Sequence, residues 1–147
     1  MASEITTGGI AIERGSPFDW WRCRHTCLVL RHPGHSLRLI AHIARALGCF
    51  QFQTEQTHEL RDGAHFFKEV QVGALRRDMS RAQIAVLLAG VEVDNWGTEF
   101  NCQNGVGKAL VVLKDAGYIS AREYEEGFGK MWEATLEGAD GIFLKES

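Results

Sequence analysis

The period of the hydrophobic pattern changes once along the chain, and that change limits the folds open to it. From Trp20 to Leu30 the residues alternate, with Trp21, Cys23, His25, Cys27 and Val29 on one face and Arg22, Arg24 and Thr26 on the other. Period-two alternation is the mark of a β-strand. His32-Pro33-Gly34-His35 then forms a turn, because proline presets φ and glycine accepts a positive one. Ser36 to His42 returns as the second arm of a hairpin, and Cys49 to Gln53 and Phe66 to Val72 are further strands. Arg61-Asp62-Gly63 marks a turn between the last two. Ile10 and Ile12 signal at most a weak first strand, and residues 1–9 read as a loose tail.

From Ser80 onward the period is helical. Ser80 and Gln83 form a capping box that opens a helix through Leu88, and Gly90 marks its end. Asn101 caps a helix from Cys102 to Ala116, with Gly117 as its stop. Val106, Ala109, Leu110 and Leu113 make an apolar stripe that Val111 and Val112 widen, so this helix is expected to be buried and central. The stripe is expected to meet Cys27, Val29 and Leu39 or Ile40 of the hairpin. Ser120 and Glu123 open a last helix through about Leu136. Strands followed by helices imply an α+β domain: an antiparallel sheet packed against a central buried helix plus C-terminal helices. The 147 residues fit one such domain, and no repeat or linker divides them.

Charge and composition remove several function classes. The net charge is −3, from 16 Lys+Arg against 19 Asp+Glu, with no basic block of the kind that grips nucleic acid or an anionic membrane. The longest apolar run, Ile84 to Val91, falls far short of the ~20 residues that span a bilayer. Met1 to Ile12 shows no secretory pattern, so a cytoplasmic setting with reduced cysteines is expected. Cys23, Cys27, Cys49 and Cys102 include no C-x-x-C pair, which argues against a zinc ribbon. No glycine-rich phosphate loop appears, and no cofactor or metal is expected.

Two residues stand out chemically. Cys102 opens the most buried helix, where unpaired N–H groups and the positive end of the macrodipole favour a thiolate. The same groups, with Gln103, can hold an oxyanion. His25 lies on the face of Trp21, Cys27 and Val29 and points inward. A helix-start cysteine and an inward histidine are the minimum for a thiol nucleophile and its base. The plain alternative is a structural cysteine and a hydrogen-bonded core histidine. A turn centred between Pro33 and Gly34 pairs residues whose numbers sum to 67, so His25 would face His42, which then orients it. A one-residue change of turn would send His42 to the other side. Trp96, in the loop Asp94-Asn95-Trp96-Gly97, is either a cap on the cysteine helix or a pocket wall. Trp21, His65 and Asn101 are further candidates for contact with a small molecule. Gly105 and Gly107, early in a helix, imply close approach of a backbone or a ligand.

His25 to Leu30 (H-T-C-L-V-L) followed by Asn101 to Asn104 (N-C-Q-N) resembles the permuted papain-like family typified by lecithin:retinol acyltransferase. That family has a strand motif H-W-x-L-Y-V and a helix-opening N-C-E-H. Thr26 stands here in place of the tryptophan and Gln103 in place of the glutamate. The C-terminal part is similar to uncharacterised small fungal proteins with N-C-Q-x-W-V at a helix start, where Gly105 replaces the tryptophan. The resemblance spans Trp20 to Gly117, with identities confined to the two motifs. It implies Cys102 as nucleophile and His25 as base, in acyl transfer, hydrolysis or cyclisation of a small apolar molecule, with fungal secondary metabolism as a setting. Two other functions remain open beside it: non-covalent binding or acid–base cyclase or isomerase chemistry in the same pocket, and an interaction module without chemistry.

Overall fold

The computed structural model describes residues 6–14, 25–33, 37–44, 51–57, 63–76, 80–91 and 102–138, with backbone alone at 43, 44, 51–53, 55, 81 and 102. Five strands come first: β1 (Thr7–Glu13), β2 (His25–Arg31), β3 (Arg38–Ala44), β4 (Gln51–Thr57) and β5 (Phe66–Ala74). Three helices follow: α1 (Arg81–Ala89), α2 (Cys102–Asp115) and α3 (Ala121–Leu136). The strands form one antiparallel sheet in the order β4-β3-β2-β1-β5. The first four are a meander, and β5 returns to pair with β1. The chain is an α+β protein, as the change of period implies.

The reading of residues 1–9 as a loose tail is corrected for Thr7, Gly8 and Gly9. β1 lies inside the sheet, and Thr7, Gly8 and Gly9 pair with Arg31, Leu30 and Val29 on one side and with Ala74, Gly73 and Gln71 on the other. Residues 1–5 lie outside the described residues. Glycines carry no apolar signal, so pattern reading passed over the strand, yet the missing side chain has a use. A Cβ on Gly9 would stand 2.5 Å from the Glu69 carboxylate, which occupies that space. Where β5 passes Gly8 and Gly9 the register shifts, and Gly73 takes up the bulge at φ +135°.

Both faces of the sheet are buried, and they differ. On one face Ile10, Ile12, Leu28, Leu30, Leu39, Ala41, Val70 and Val72 join Val106, Leu110 and Leu113 of α2 and Met131 of α3 in the main core. On the other, Ala11, Cys27, Val29 and Ile40 form a smaller cluster with Phe66 against it. Of the residues expected to meet α2, Leu39 joins its core, but the expectation for Cys27, Val29 and Ile40 is corrected: α2 lies on the side of Leu28, Leu30 and Leu39. Every position from Cys27 to Leu30 is apolar, so alternation alone does not say which face the helix takes.

The helix ends follow the sequence closely. Ser80 accepts from the Gln83 N–H at 3.1 Å and Ser120 from the Glu123 N–H at 3.0 Å, each completing a capping box. α2 stops at Gly117, whose φ of +84° admits a left-handed turn. There Tyr118 N–H donates to Leu113 at 2.8 Å and Gly117 N–H to Lys114 at 3.0 Å, the paired bonds of a Schellman motif. Asn101 lies outside the described residues. The loop after α2 is tied to the sheet by Arg76 N–H, which donates to the Tyr118 carbonyl at 2.9 Å. The C-terminal end of α2 therefore sits at the Ala74 end of β5.

Candidate functional site

β2 and β3 pair with Leu28 opposite Ala41 and Val29 opposite Ile40, so partner numbers sum to 69 rather than 67. The two-residue shift preserves parity. His42 therefore stays on the face of His25 but stands opposite Cys27, one step along the diagonal. The rings bridge that diagonal: His25 Nε2 and His42 Nδ1 are 3.1 Å apart, with centroids at 5.1 Å and planes at 86°. One nitrogen donates and the other accepts, so the two rings share a single proton across the contact.

Both imidazoles are half-buried. Burial, and after it the charge of His42, pushes the His25 pKa down from 6.5 to about 4. At neutral pH His25 is thus an uncharged ring held by its neighbour. Cys27, 1 % exposed, lies across from His42, and Ala11, Val29 and Ile40 continue the same apolar surface. Glu13 is the cross-strand partner of His25 on β1, which places a carboxylate at the same end of the same face. Pattern reading did not single out Glu13. Its only signal is its place two residues after Ala11 in a strand that the glycines concealed.

Further along this face Arg31 donates through both terminal nitrogens to the Glu69 carboxylate at 2.5 Å, and Gln71 Nε2 adds a bond at 3.0 Å. The Glu69 side chain is 3 % exposed and reaches Arg31 over Gly9. Charges at such depth persist only when paired and bonded. The face thus carries two paired polar groups, one at each end of an apolar strip.

The remaining sequence candidates are dispersed. Cys102 begins α2, and that helix packs on the face opposite His25. Gln103 is fully buried in line with Val106 and Leu110, and Thr26, also fully buried, faces the same side as Leu28. His65 is exposed in the turn before β5, and its carbonyl accepts from Arg14 N–H at 2.8 Å, closing the end of the β1–β5 pair. Trp21, Trp96 and Asn101 lie outside the described residues. The close approach expected at Gly107 is met by an aromatic ring: a Cβ there would stand 2.6 Å from Phe128 of α3. A groove of about 550 Å³ does begin near the start of α2, at Asn104, but it runs between α1, α2 and α3 and the histidine pair does not line it.

Among the described residues no group of three His, Cys, Asp or Glu side chains is placed to hold a metal, and no helix is long and apolar enough to cross a membrane. The molecule is thus defined by its architecture: a five-stranded antiparallel sheet with helices on one face and a histidine pair on the other. No family model, characterised protein or solved structure matches the chain.

Proposed function

We propose that this protein is an enzyme that moves protons on a small apolar molecule at the His25–His42 pair, as a cyclase or isomerase does. The observation that carries the reading is the 3.1 Å contact between two half-buried imidazoles beside an apolar strip. Burial and the charge of His42 disfavour a proton on His25, so His25 serves as the neutral partner and His42 as the ring that takes and returns the proton. The covalent reading, with Cys102 as nucleophile in a permuted papain-like arrangement, draws support from the place of Cys102 at the opening of α2. It asks His25 to serve a thiol on a helix that packs against the other face, and this favours the acid–base reading.

Turnover measured on a panel of small enolisable ketones, lactones and aryl esters separates the two. The acid–base reading expects His42→Ala and His25→Ala to lower kcat about a hundredfold or more, while Cys102→Ser leaves it within about twofold. An acylation burst that disappears in Cys102→Ser establishes the thiol reading instead.

A further inference from the structure

The row of cross-strand positions that contains His25 also holds a carboxylate and an aromatic ring. Glu13 pairs with His25 on one side and with Phe66 on the other. All three share one face of the sheet: Glu13 and His25 each stand two residues from Ala11 and Cys27, and Phe66 packs against that cluster. Cross-strand neighbours have Cβ atoms about 4.5–5.5 Å apart, so the three side chains form one continuous patch. Glu13 and Phe66 are half-buried. Among the described residues the Glu13 carboxylate makes no hydrogen bond or ion pair. The described cations nearest to it by register are committed elsewhere: Arg14 lies over the Phe67 ring at 4.5 Å, and Lys68 bonds Glu137 at 2.8 Å. Nor is Glu13 spent on His25, whose pKa is set by burial and by His42. On the face of Glu13 itself, Arg31 and Arg38 stand at the far end of β2 and β3, six residues from His25 or about 20 Å away.

We infer that Glu13 and Phe66 are the recognition end of the His25–His42 site, and that its substrate is an apolar molecule carrying one protonated amine. The Glu13 carboxylate holds the ammonium against the Phe66 ring, and the body of the molecule extends toward the histidine pair. The inference rests on the reading of this face as a substrate site and adds the class of substrate. A carboxylate gives an ammonium a charge-assisted bond, and an aromatic ring attracts the same cation through its quadrupole. The neutral His25 ring on the other side of Glu13 does not repel it. An anionic ligand is refused by the carboxylate, and a neutral one leaves a half-buried charge without a partner.

Isothermal titration calorimetry of the intact chain with 4-phenylbutylamine, 4-phenylbutan-1-ol and 4-phenylbutanoate compares one apolar body with three charges. The amine is expected to bind at one equivalent and about tenfold tighter than the alcohol, with no binding of the acid. Glu13→Gln should weaken the amine about tenfold, as the loss of a charge-assisted bond does, and leave the alcohol as it is. Phe66→Leu, which keeps an apolar side chain without the ring, should weaken the amine about threefold more than the alcohol. Glu125→Gln removes the same charge from an exposed position on α3 and should leave amine binding unchanged. Circular-dichroism melts confirm that each variant is folded. Failure of the amine to bind overturns the inference. So does an alcohol bound as tightly as the amine, and so does equal weakening by Glu13→Gln and Glu125→Gln. His42→Ala separates this claim from the proton chemistry: amine binding should survive it, while turnover of the ketone panel is lost. If amine binding depends on Glu13 but turnover does not respond to His42→Ala, the proton-transfer reading fails and the ammonium site stands.

Discussion

On one side of β2, Leu28 and Leu30 enter a core that α2 and α3 help to build; on the other, Cys27 and Val29 belong to a smaller cluster whose described members, Ala11, Cys27, Val29, Ile40 and Phe66, are strand residues, with His25 on the same face. The first side is aliphatic almost throughout, with Thr26, Gln103 and Thr135 as its fully buried polar residues among those described. The second places ionisable groups at half-buried or buried depth and keeps them in pairs, His25 with His42 and Arg31 with Glu69. Aliphatic burial stabilises without specifying chemistry, whereas buried ionisable groups add little net stability and are costly when a partner is lost. The helix side therefore carries most of the apolar burial that holds the fold, and the opposite side carries the paired ionisable groups on which the proposed chemistry rests.

The largest expected effect tests this division. Leu110→Ala and Leu28→Ala, both in the main core and at most 1 % exposed, should each cost ~2–5 kcal/mol in urea unfolding. Ile40→Ala, in the four-residue cluster, should fall at the low end of that range. Equal losses would erase the distinction between the faces.

Acid should act through the histidine side. The folded pKa of His25 is depressed to about 4 from 6.5. Between these values the unfolded chain binds the extra proton, so the contribution is complete above pH 6.5 and is lost as pH falls toward 4. The loss should amount to up to about 3 kcal/mol. Urea melts of wild type and His25→Gln at pH 7 and 4.5 isolate it: the wild type should lose more stability than the variant.

Gly9→Ala should cost ~1–3 kcal/mol by overpacking, because the new methyl group displaces Glu69 from Arg31. Gly8→Ala meets Leu30 at an ordinary 3.5 Å and should cost less. Glu69→Gln combined with Gly9→Ala should show non-additivity, and additive losses would separate the glycine from the ion pair. The smallest effects lie at the caps. Ser120→Ala should cost ~1 kcal/mol, and more than Ser80→Ala, because Glu123 also receives Arg76 at 3.2 Å. Thermal melts check the order.

The helices were legible because their signals are local. Ser80, Ser120 and Gly117 each fix a boundary through a bond to a residue three to five positions away. β1 was concealed because its buried positions include two glycines, of which Gly9 leaves the space that Glu69 occupies. β4 runs on to Thr57 through Gln-Thr-Glu-Gln-Thr, where no apolar period marks an edge strand. The histidine pair was legible in part. Parity on a strand survives an even shift of register, so His42 kept its face although its partner in the turn arithmetic was wrong. The side on which α2 packs was not legible, because β2 is apolar at every position from Cys27 to Leu30 and both faces look like core.

The central claim is that His25 is a neutral ring hydrogen-bonded to His42 on the face away from α2. Long-range proton–nitrogen NMR of the imidazole rings, followed from pH 8 to pH 3.5 in wild type and His42→Ala, addresses it directly. The account predicts that His25 stays neutral in a single tautomer until about pH 4, and that removing His42 raises its midpoint and releases the tautomer. A His25 ring that titrates near 6.5 and does not respond to the loss of His42 would contradict it.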